Sequence, residues 1–302
     1  MKALDAVDFE LRRGEVHALM GENGAGKSTL IKVLTGVYTR DAGEIALEGR
    51  SIDPRSPHHA QTLGISTVYQ EVNLIPYLSV AENLLLGHQP RRFGLVDWRR
   101  MRSLAEAAMA RLDIHIDVTR PLVSYSIAIQ QMVAIARAID SQAKVLVLDE
   151  PTSSLDRYEV EQLFSVIRKL KHDGLGIVFV SHFLEQIYAI SDRITVLRNG
   201  RLVGQYNTAE LPRLQLISKM IGKDLIANTD HAPSTAVPQG EPTWSLRAIG
   251  IGRNRLIDPL DLEIRDGQVV GLAGLLGSGR TETARLLFGI ERADSGTFLI
   301  NE

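Results

Sequence analysis

Gly21-Glu22-Asn23-Gly24-Ala25-Gly26-Lys27-Ser28 decides the fold. The run fits G-x-x-x-x-G-K-[ST] at every required position. It lies between a short apolar stretch, Val16 to Met20, and a helix-like stretch, Lys27 to Leu34. Strand, glycine-rich turn and helix, in that order, are the context a phosphate-cradling loop needs. Backbone N–H groups of the loop and the helix start point at phosphate oxygens, and the helix dipole favours their charge. Gly21, Glu22, Asn23, Gly24, Ala25, Gly26, Lys27, Ser28 and Thr29 are the expected phosphate-binding residues. Lys27 would pair with the terminal phosphates, and the Ser28 hydroxyl would ligate Mg²⁺.

Outward from the loop, apolar runs alternate with helical patterns. Strands are expected at Val7 to Leu11, Ile65 to Tyr69, Lys144 to Leu148, Ile177 to Val180 and Thr297 to Ile300. Helices are expected at Trp98 to Leu112 and Gln130 to Ile139. Continuous apolar strands separated by helices predict an α/β fold, a mainly parallel sheet covered on both faces. The apolar run Val145-Leu146-Val147-Leu148 ends in Asp149-Glu150. A strand end carrying two carboxylates, downstream of the phosphate loop, suits Asp149 to Mg²⁺ and Glu150 to a general base for an attacking water.

The chain repeats itself. Leu4 to Gly49 align without gaps on Ile257 to Glu302 at a constant offset, 274 − 21 = 253. Glycines at 14, 21, 24, 26, 36 and 43 recur at 267, 274, 277, 279, 289 and 296. The intervening run ANTDHAPSTAVPQGEPT, residues 227–243, is rich in Pro, Ser, Thr and Ala, and reads as a linker. Residues 1–226 are therefore expected as a first domain, and 244–302 as the opening of a second. Both ends are abrupt, and a parent protein of roughly 500 residues is expected.

Composition excludes several classes. The 302 residues hold 34 Lys plus Arg against 36 Asp plus Glu, a formal net charge of -2. No basic excess points to nucleic acid, and none is expected as a partner. With 0 cysteines, disulfides and thiolate metal sites are out. No apolar run approaches the roughly 20 residues that span a bilayer, so any membrane role is expected to run through a partner.

Four more segments make the chain resemble the ATP-binding cassette family, whose fold is a P-loop NTPase with an antiparallel β part and a helical subdomain. Tyr69-Gln70-Glu71 is similar to the Q-loop, which implies Gln70 at Mg²⁺ and the attacking water. Ser154-Leu155-Asp156 resembles the D-loop. Val180-Ser181-His182 resembles the switch segment, which implies His182 at the γ-phosphate. Tyr125-Ser126-Ile127-Ala128-Ile129-Gln130-Gln131 stands where the family signature belongs, with Ser126, Ile127, Ala128 and Gln130 facing a nucleotide held by an opposing cassette. Its two glycine positions are filled by Ile127 and Ala128, a departure expected to restrict the backbone and hinder approach to phosphate. The second loop departs too: Gly274, Gly277, Gly279, Arg280 and Thr281 keep the pattern except for Arg in the Lys position.

Two cassettes in one chain, with one composite site weakened from both sides, resemble the ATPase subunits of monosaccharide importers, the galactofuranose type included. The resemblance implies ATP and Mg²⁺ as cofactors, and ATP hydrolysis catalysed by Glu150, His182 and Gln70. It implies integral membrane permease subunits and, indirectly, a periplasmic or extracellular sugar-binding protein as partners. A second cassette or homodimer partner would complete the site, at the cytoplasmic face of the inner (plasma) membrane. It further implies an upstream strand and an adenine-stacking aromatic, which have no counterpart here. Two readings stay open beside it: a soluble tandem cassette protein acting on ribosomes, and a fragment that binds nucleotide without turning it over.

Overall fold

The computed structural model describes residues 2–69, 74–139, 143–222, 244–251, 257–274 and 278–300. The chain forms two compact units, Met1–Leu225 and Ile226–Glu302. The 227–243 run lies outside the described residues.

The first unit is built on β1 (Val16–Met20). Parallel strands flank it on both sides: β8 (Gly176–Val180) on one and β9 (Arg193–Arg198) on the other. β7 (Val145–Asp149) and then β4 (Ile65–Val68) continue beyond β8, and β10 (Arg201–Asn207) closes the far edge antiparallel to β9. All five residues of β1 and of β8 are buried. That is why these strands read as apolar runs, broken only by His17 in β1. Two short hairpins stand apart: β2 (Ile45–Leu47) with β3 (Arg50–Ile52), and β5 (Arg91–Arg92) with β6 (Leu95–Val96).

Helices cover the faces: α1 (Lys27–Leu34), α2 (Pro57–Leu63), α6 (Arg157–His172), α7 (Leu184–Ile190) and α8 (Arg213–Ile221). α6 turns Leu163, Phe164, Val166, Ile167 and Leu170 into the core, spacing that fits one helical face. A helical part packs α3 (Val80–Leu84), α4 (Trp98–Ala110) and α5 (Ile127–Ala138) together through Met101, Met109, Leu122 and Met132. Asn83, fully buried, ties the loop before α3, accepting from Ile75 N–H and donating to the carbonyls of Ile75 and Ser79.

The second unit is a three-stranded antiparallel sheet, β12 (Ile257–Ile264), β11 (Trp244–Ile251) and β13 (Ser295–Ile300), in that order. Leu286 of α9 (Arg280–Leu287) packs on its Leu246 and Ile249. Among the described residues, no helix of either unit is long and apolar enough to cross a membrane.

The two copies correct one expectation and explain it. Val7 to Leu11 forms no strand, although Val7, Phe9 and Leu11 turn inward toward the core. Its counterpart in the repeat lies in β12 and does form one, because β11 supplies the hydrogen bonds. The reverse holds for β1. Val16 is fully buried between two strands, while its counterpart Val269 (16 + 253) is 96% exposed in a segment without ladder bonds. Strand formation follows the available partners more than local propensity. The helix expected from Gln130 starts three residues earlier, at Ile127, because Ser126 caps it.

His17 sits in β1 with its side chain wholly buried, Nε2 2.7 Å from Thr195 Oγ1. The Glu15 carboxylate is 3.7 Å from its Nδ1 but is shared with Arg193. Burial, and then the Arg193 charge, hold the imidazole neutral and push its pKa down to about 4. Unfolded, the same ring takes a proton near pH 6.5. The unfolded state therefore binds more protons between those values, and stability falls as pH drops through that window. The loss reaches about 3 kcal/mol at pH 4 from this group. Urea midpoints measured from pH 7.5 to 4 should show that slope in the native chain and a flatter one in His17→Gln.

Candidate functional site

Three loops meet at the carboxyl ends of β1, β7 and β8. The first is the glycine-rich loop. Gly21 has φ 151°, and a Cβ there would lie 2.3 Å from the Leu197 carbonyl oxygen, so only glycine fits. Gly26 caps α1 in the left-handed region, φ 107°, with no side chain bonding the helix start. The first-turn N–H groups of α1 thus face outward as donors for an anion. Gly200 N–H donates to the Ala25 carbonyl at 3.0 Å, and holds the loop from the β9–β10 turn. The chain start lies below: Asp5 N–H donates to Gly200 O at 2.7 Å, and Arg201 forks onto the Asp5 carboxylate at 3.0 and 2.7 Å. Leu4 and Ala3 are the neighbours that a Cβ on Gly26 would strike.

Lys27 Nζ donates to the carbonyls of Gly21 (2.7 Å) and Glu22 (3.0 Å), so its ammonium lies within the curl of the loop. Burial draws its pKa down, and the Glu150 and Asp149 carboxylates oppose that. Ser28 is exposed on the first turn of α1, and Thr29 is half-buried.

The second loop follows β7. Burial, then the Glu150 charge, raise the pKa of Asp149, with Lys27 and Lys32 pulling the other way. Glu150 adopts φ 49°, a left-handed backbone that a non-glycine residue takes at some cost. Its N–H donates to Val180 O at 2.9 Å, which fixes the strained turn.

The third loop follows β8. His182 Nδ1 lies 3.3 Å from Glu150 Oε2, and its ring packs on Phe183 at 4.0 Å between centroids. The structure therefore brings Lys27, Asp149, Glu150 and His182 to one place. Gln70 lies outside the described residues.

Two residues escaped the sequence reading. Gln186 Oε1 accepts from Thr152 Oγ1 at 2.5 Å and from Ser181 Oγ at 3.1 Å. One carboxamide thus laces the loop after Glu150 to the residue before His182. Gln186 lies one helical turn past His182, a spacing that could have signalled it. Gln131 Nε2 donates to Pro151 O at 3.2 Å, and joins α5 to the same loop.

The signature-like run is not drawn into this cluster. Ser126 Oγ accepts from Ile129 N–H at 3.4 Å as the cap of α5, and Gln130 Nε2 donates back to Tyr125 O at 2.9 Å. Ile127 and Ala128 are helical, and neither needs a positive φ. Backbone restriction by Ile127 is thus not at issue; what remains is its bulk, 49% exposed. Ala128 is buried. Asp156 caps α6 in a capping box with Glu159, Leu155 is half-buried and Ser154 is exposed. In the second unit Gly279 caps α9 at φ 83°, again with no side-chain cap bond, and Arg280 and Thr281 are exposed. Gly274 lies where a Cβ would come 2.3 Å from Ser278 Oγ; Gly277 lies outside the described residues.

A cradle of glycines under a helix start, with a lysine inside it and a carboxylate pair beside it, is built for nucleotide phosphates. The ABC transporter family profile matches residues 4–153. The chain belongs to the ABC transporter family. It is 55% identical over 300 residues to the galactofuranose transporter ATP-binding protein YtfR of Escherichia coli strain K12, covering 99% of this chain and 60% of that protein. It is 50% identical to the fructose import ATP-binding protein FruK of Bifidobacterium longum, covering 100% and 59%. Against the ribose import ATP-binding protein RbsA 1 of Rubrobacter xylanophilus the identity is 49%, covering 99% and 58%. The chain thus spans about 60% of the length of these curated relatives. Among solved structures, the ADP conformation of the ATP-binding cassette MJ1267 superposes with a TM-score of 0.64 at 25% identity, covering 73% of this chain and 93% of that one. CbiO1 of Clostridium perfringens gives 0.61 at 26%, covering 74% and 90%. The fold of the ABC chain is that of an ATP-binding cassette.

The lacing by Gln186 has a measurable value. Gln186→Leu leaves the buried hydroxyls of Thr152 and Ser181 without an acceptor. It should cost about 2 kcal/mol in urea unfolding. Gln186→Glu, which keeps an acceptor oxygen, should fall within about 0.5 kcal/mol of the native chain.

Proposed function

We propose that the chain is the ATP-binding and ATP-hydrolysing part of the motor subunit of a sugar importer, with a monosaccharide such as galactofuranose as cargo. The observation that carries this reading is the meeting of the Lys27 loop, the Asp149–Glu150 pair and His182 at one sheet edge. Relatives named for galactofuranose, fructose and ribose transport support the sugar class.

In this mechanism the loop N–H groups and the start of α1 hold the phosphates of ATP, and Lys27 leaves the Gly21 and Glu22 carbonyls for the β/γ-phosphate oxygens. The residues present fit Mg²⁺, since burial beside Glu150 leaves Asp149 short of positive charge. Ser28, Asp149 and Gln70 would hold the ion, which when bound neutralises phosphate charge. Glu150 accepts the proton of a water whose oxygen attacks the γ-phosphorus, and the bond to ADP breaks. His182 orients the Glu150 carboxylate and reaches the γ-phosphate. Gln186 acts through both, as a positioning residue.

Residues 1–226 form the first cassette in this reading, 227–243 the linker and 244–302 the opening of a second cassette. Ser126, Ile127, Ala128 and Gln130 face the nucleotide of the opposing cassette, with the D-loop Ser154, Leu155 and Asp156 at the seam. A second cassette or a second copy closes the site. Permease subunits hold the assembly at the cytoplasmic face of the membrane, and a sugar-binding protein delivers cargo from the other side. A second reading, nucleotide binding without turnover, is favoured by the exposed bulk of Ile127 and by Arg280 in the second loop.

Mg²⁺-dependent ATP hydrolysis by the purified chain tests the proposal. Turnover should fall about 100-fold or more in Glu150→Gln and in Lys27→Ala. ATP binding without turnover would support the second reading, and absence of ATP binding would sink both. Asp149→Asn should abolish turnover while raising stability by about 1 kcal/mol, a Tm gain of ~2–4 °C, because it removes a buried carboxylate beside another.

A further inference from the structure

Residues 90–102, PRRFGLVDWRRMR, build a projection that the nucleotide site does not use. β5 and β6 pair Arg91 with Val96 and Arg92 with Leu95, and the Asp97 N–H closes the base on Pro90 O at 2.8 Å. α4 starts at once with Trp98. The hairpin tip is Phe93-Gly94, both at positive φ, 51° and 82°. Asn or Gly is the ordinary occupant of such a position, and a bulky aromatic there is strained. Phe93 is 93% exposed, with the Arg92 guanidinium 5.4 Å from its ring centroid. Leu95 (76%) and Trp98 (61%) stand open on the same projection.

Its charge is one-sided. Arg91, Arg92, Arg99 and Arg100 are exposed, and none forms an ion pair with a carboxylate among the described residues. Asp97 caps α4 by accepting from the Arg100 backbone N–H. Arg102, the fifth arginine, faces Asp117. The first turn of α4 carries no acid, so Arg99 and Arg100 sit at the positive end of the helix dipole. A strained, exposed ring works against folding, and the cations at the helix start are offset by Asp97 alone at the cap. A surface both negative and apolar outside the chain would account for the two together.

We propose that this hairpin and the first turn of α4 contact the surface of an anionic phospholipid bilayer. The arginines meet lipid phosphates, for which their planar forks are suited. Phe93, Leu95 and Trp98 settle at the boundary of headgroup and acyl chain. Negative leaflet charge draws the basic cluster in. An acidic protein would match the charge, but a projecting ring would need a preformed pocket there, whereas a bilayer interface accepts it anywhere. The proposal stands apart from the nucleotide reading.

Sedimentation of the full chain with vesicles tests it. Binding to 3:1 phosphatidylcholine–phosphatidylglycerol vesicles should exceed that to pure phosphatidylcholine by about tenfold or more at 0.1 M salt, and should largely vanish at 0.5 M. Phe93→Gly, and Arg91→Gln with Arg92→Gln, should each lower it about fivefold or more. Phe93→Gly should leave Tm unchanged or raised, so its loss of binding is not unfolding. Anionic vesicles should shift tryptophan emission to the blue, and Trp98→Phe should remove that shift. No vesicle binding, equal binding to both vesicle types, or binding indifferent to Phe93→Gly would overturn the proposal; an acidic protein as the true occupant gives the first of these.

Discussion

Strand β1 has no free edge. β8 bonds it on one side and β9 on the other, and every side chain it carries is buried. That confinement decides where its carboxyl end points, and the glycine-rich loop begins there. Parallel neighbours must end on the same side, so the loops after β7 and β8 emerge beside it. Asp149, Glu150 and His182 need no further guidance to arrive near Lys27. The remaining alignment is done by a few hydrogen bonds: Glu150 N–H to Val180 O, and Thr152 and Ser181 to Gln186.

Electrostatics at this edge is a balance held short of neutrality. Burial works against Lys27 as a cation and against Asp149 as an anion, and each partly restores the other. Glu150 adds a second negative charge and pays in backbone strain for its position. A site with one lysine and two carboxylates accepts a polyphosphate only if more positive charge comes with it. This is a physical reason for a nucleotide and a divalent ion to enter such a site together.

The parallel core was legible in the sequence because buried strands are apolar throughout. The phosphate loop was legible because its glycines are irreplaceable, as Leu197 O against Gly21 makes plain. Val7 to Leu11 reads as a strand in the sequence and forms none, because a strand-like run says only that a strand could form, while a ladder needs a neighbour. The repeat makes the point twice, in β12 where the partner exists and at Val269 where none is found among the described residues. Gln186 and Gln131 were harder to read, since their bonds to Thr152 and to the Pro151 carbonyl reach 34 and 20 positions across the fold, and the turn-length spacing of Gln186 from His182 was the one local hint. Ile127 sits in an ordinary helical turn, because glycine in a motif does not always mark a positive φ.

The chain start is wedged beneath the phosphate loop. Ala3 and Leu4 abut Gly26 and Gly200, and Asp5 is held by both the Gly200 carbonyl and Arg201. Any movement of the loop is therefore felt at Ala3, Leu4 and Asp5. A fluorophore on the exposed side chain of Lys2 would serve as a built-in gauge of loop motion, while bulk added at Ala3 or Leu4 would disturb the very element under study.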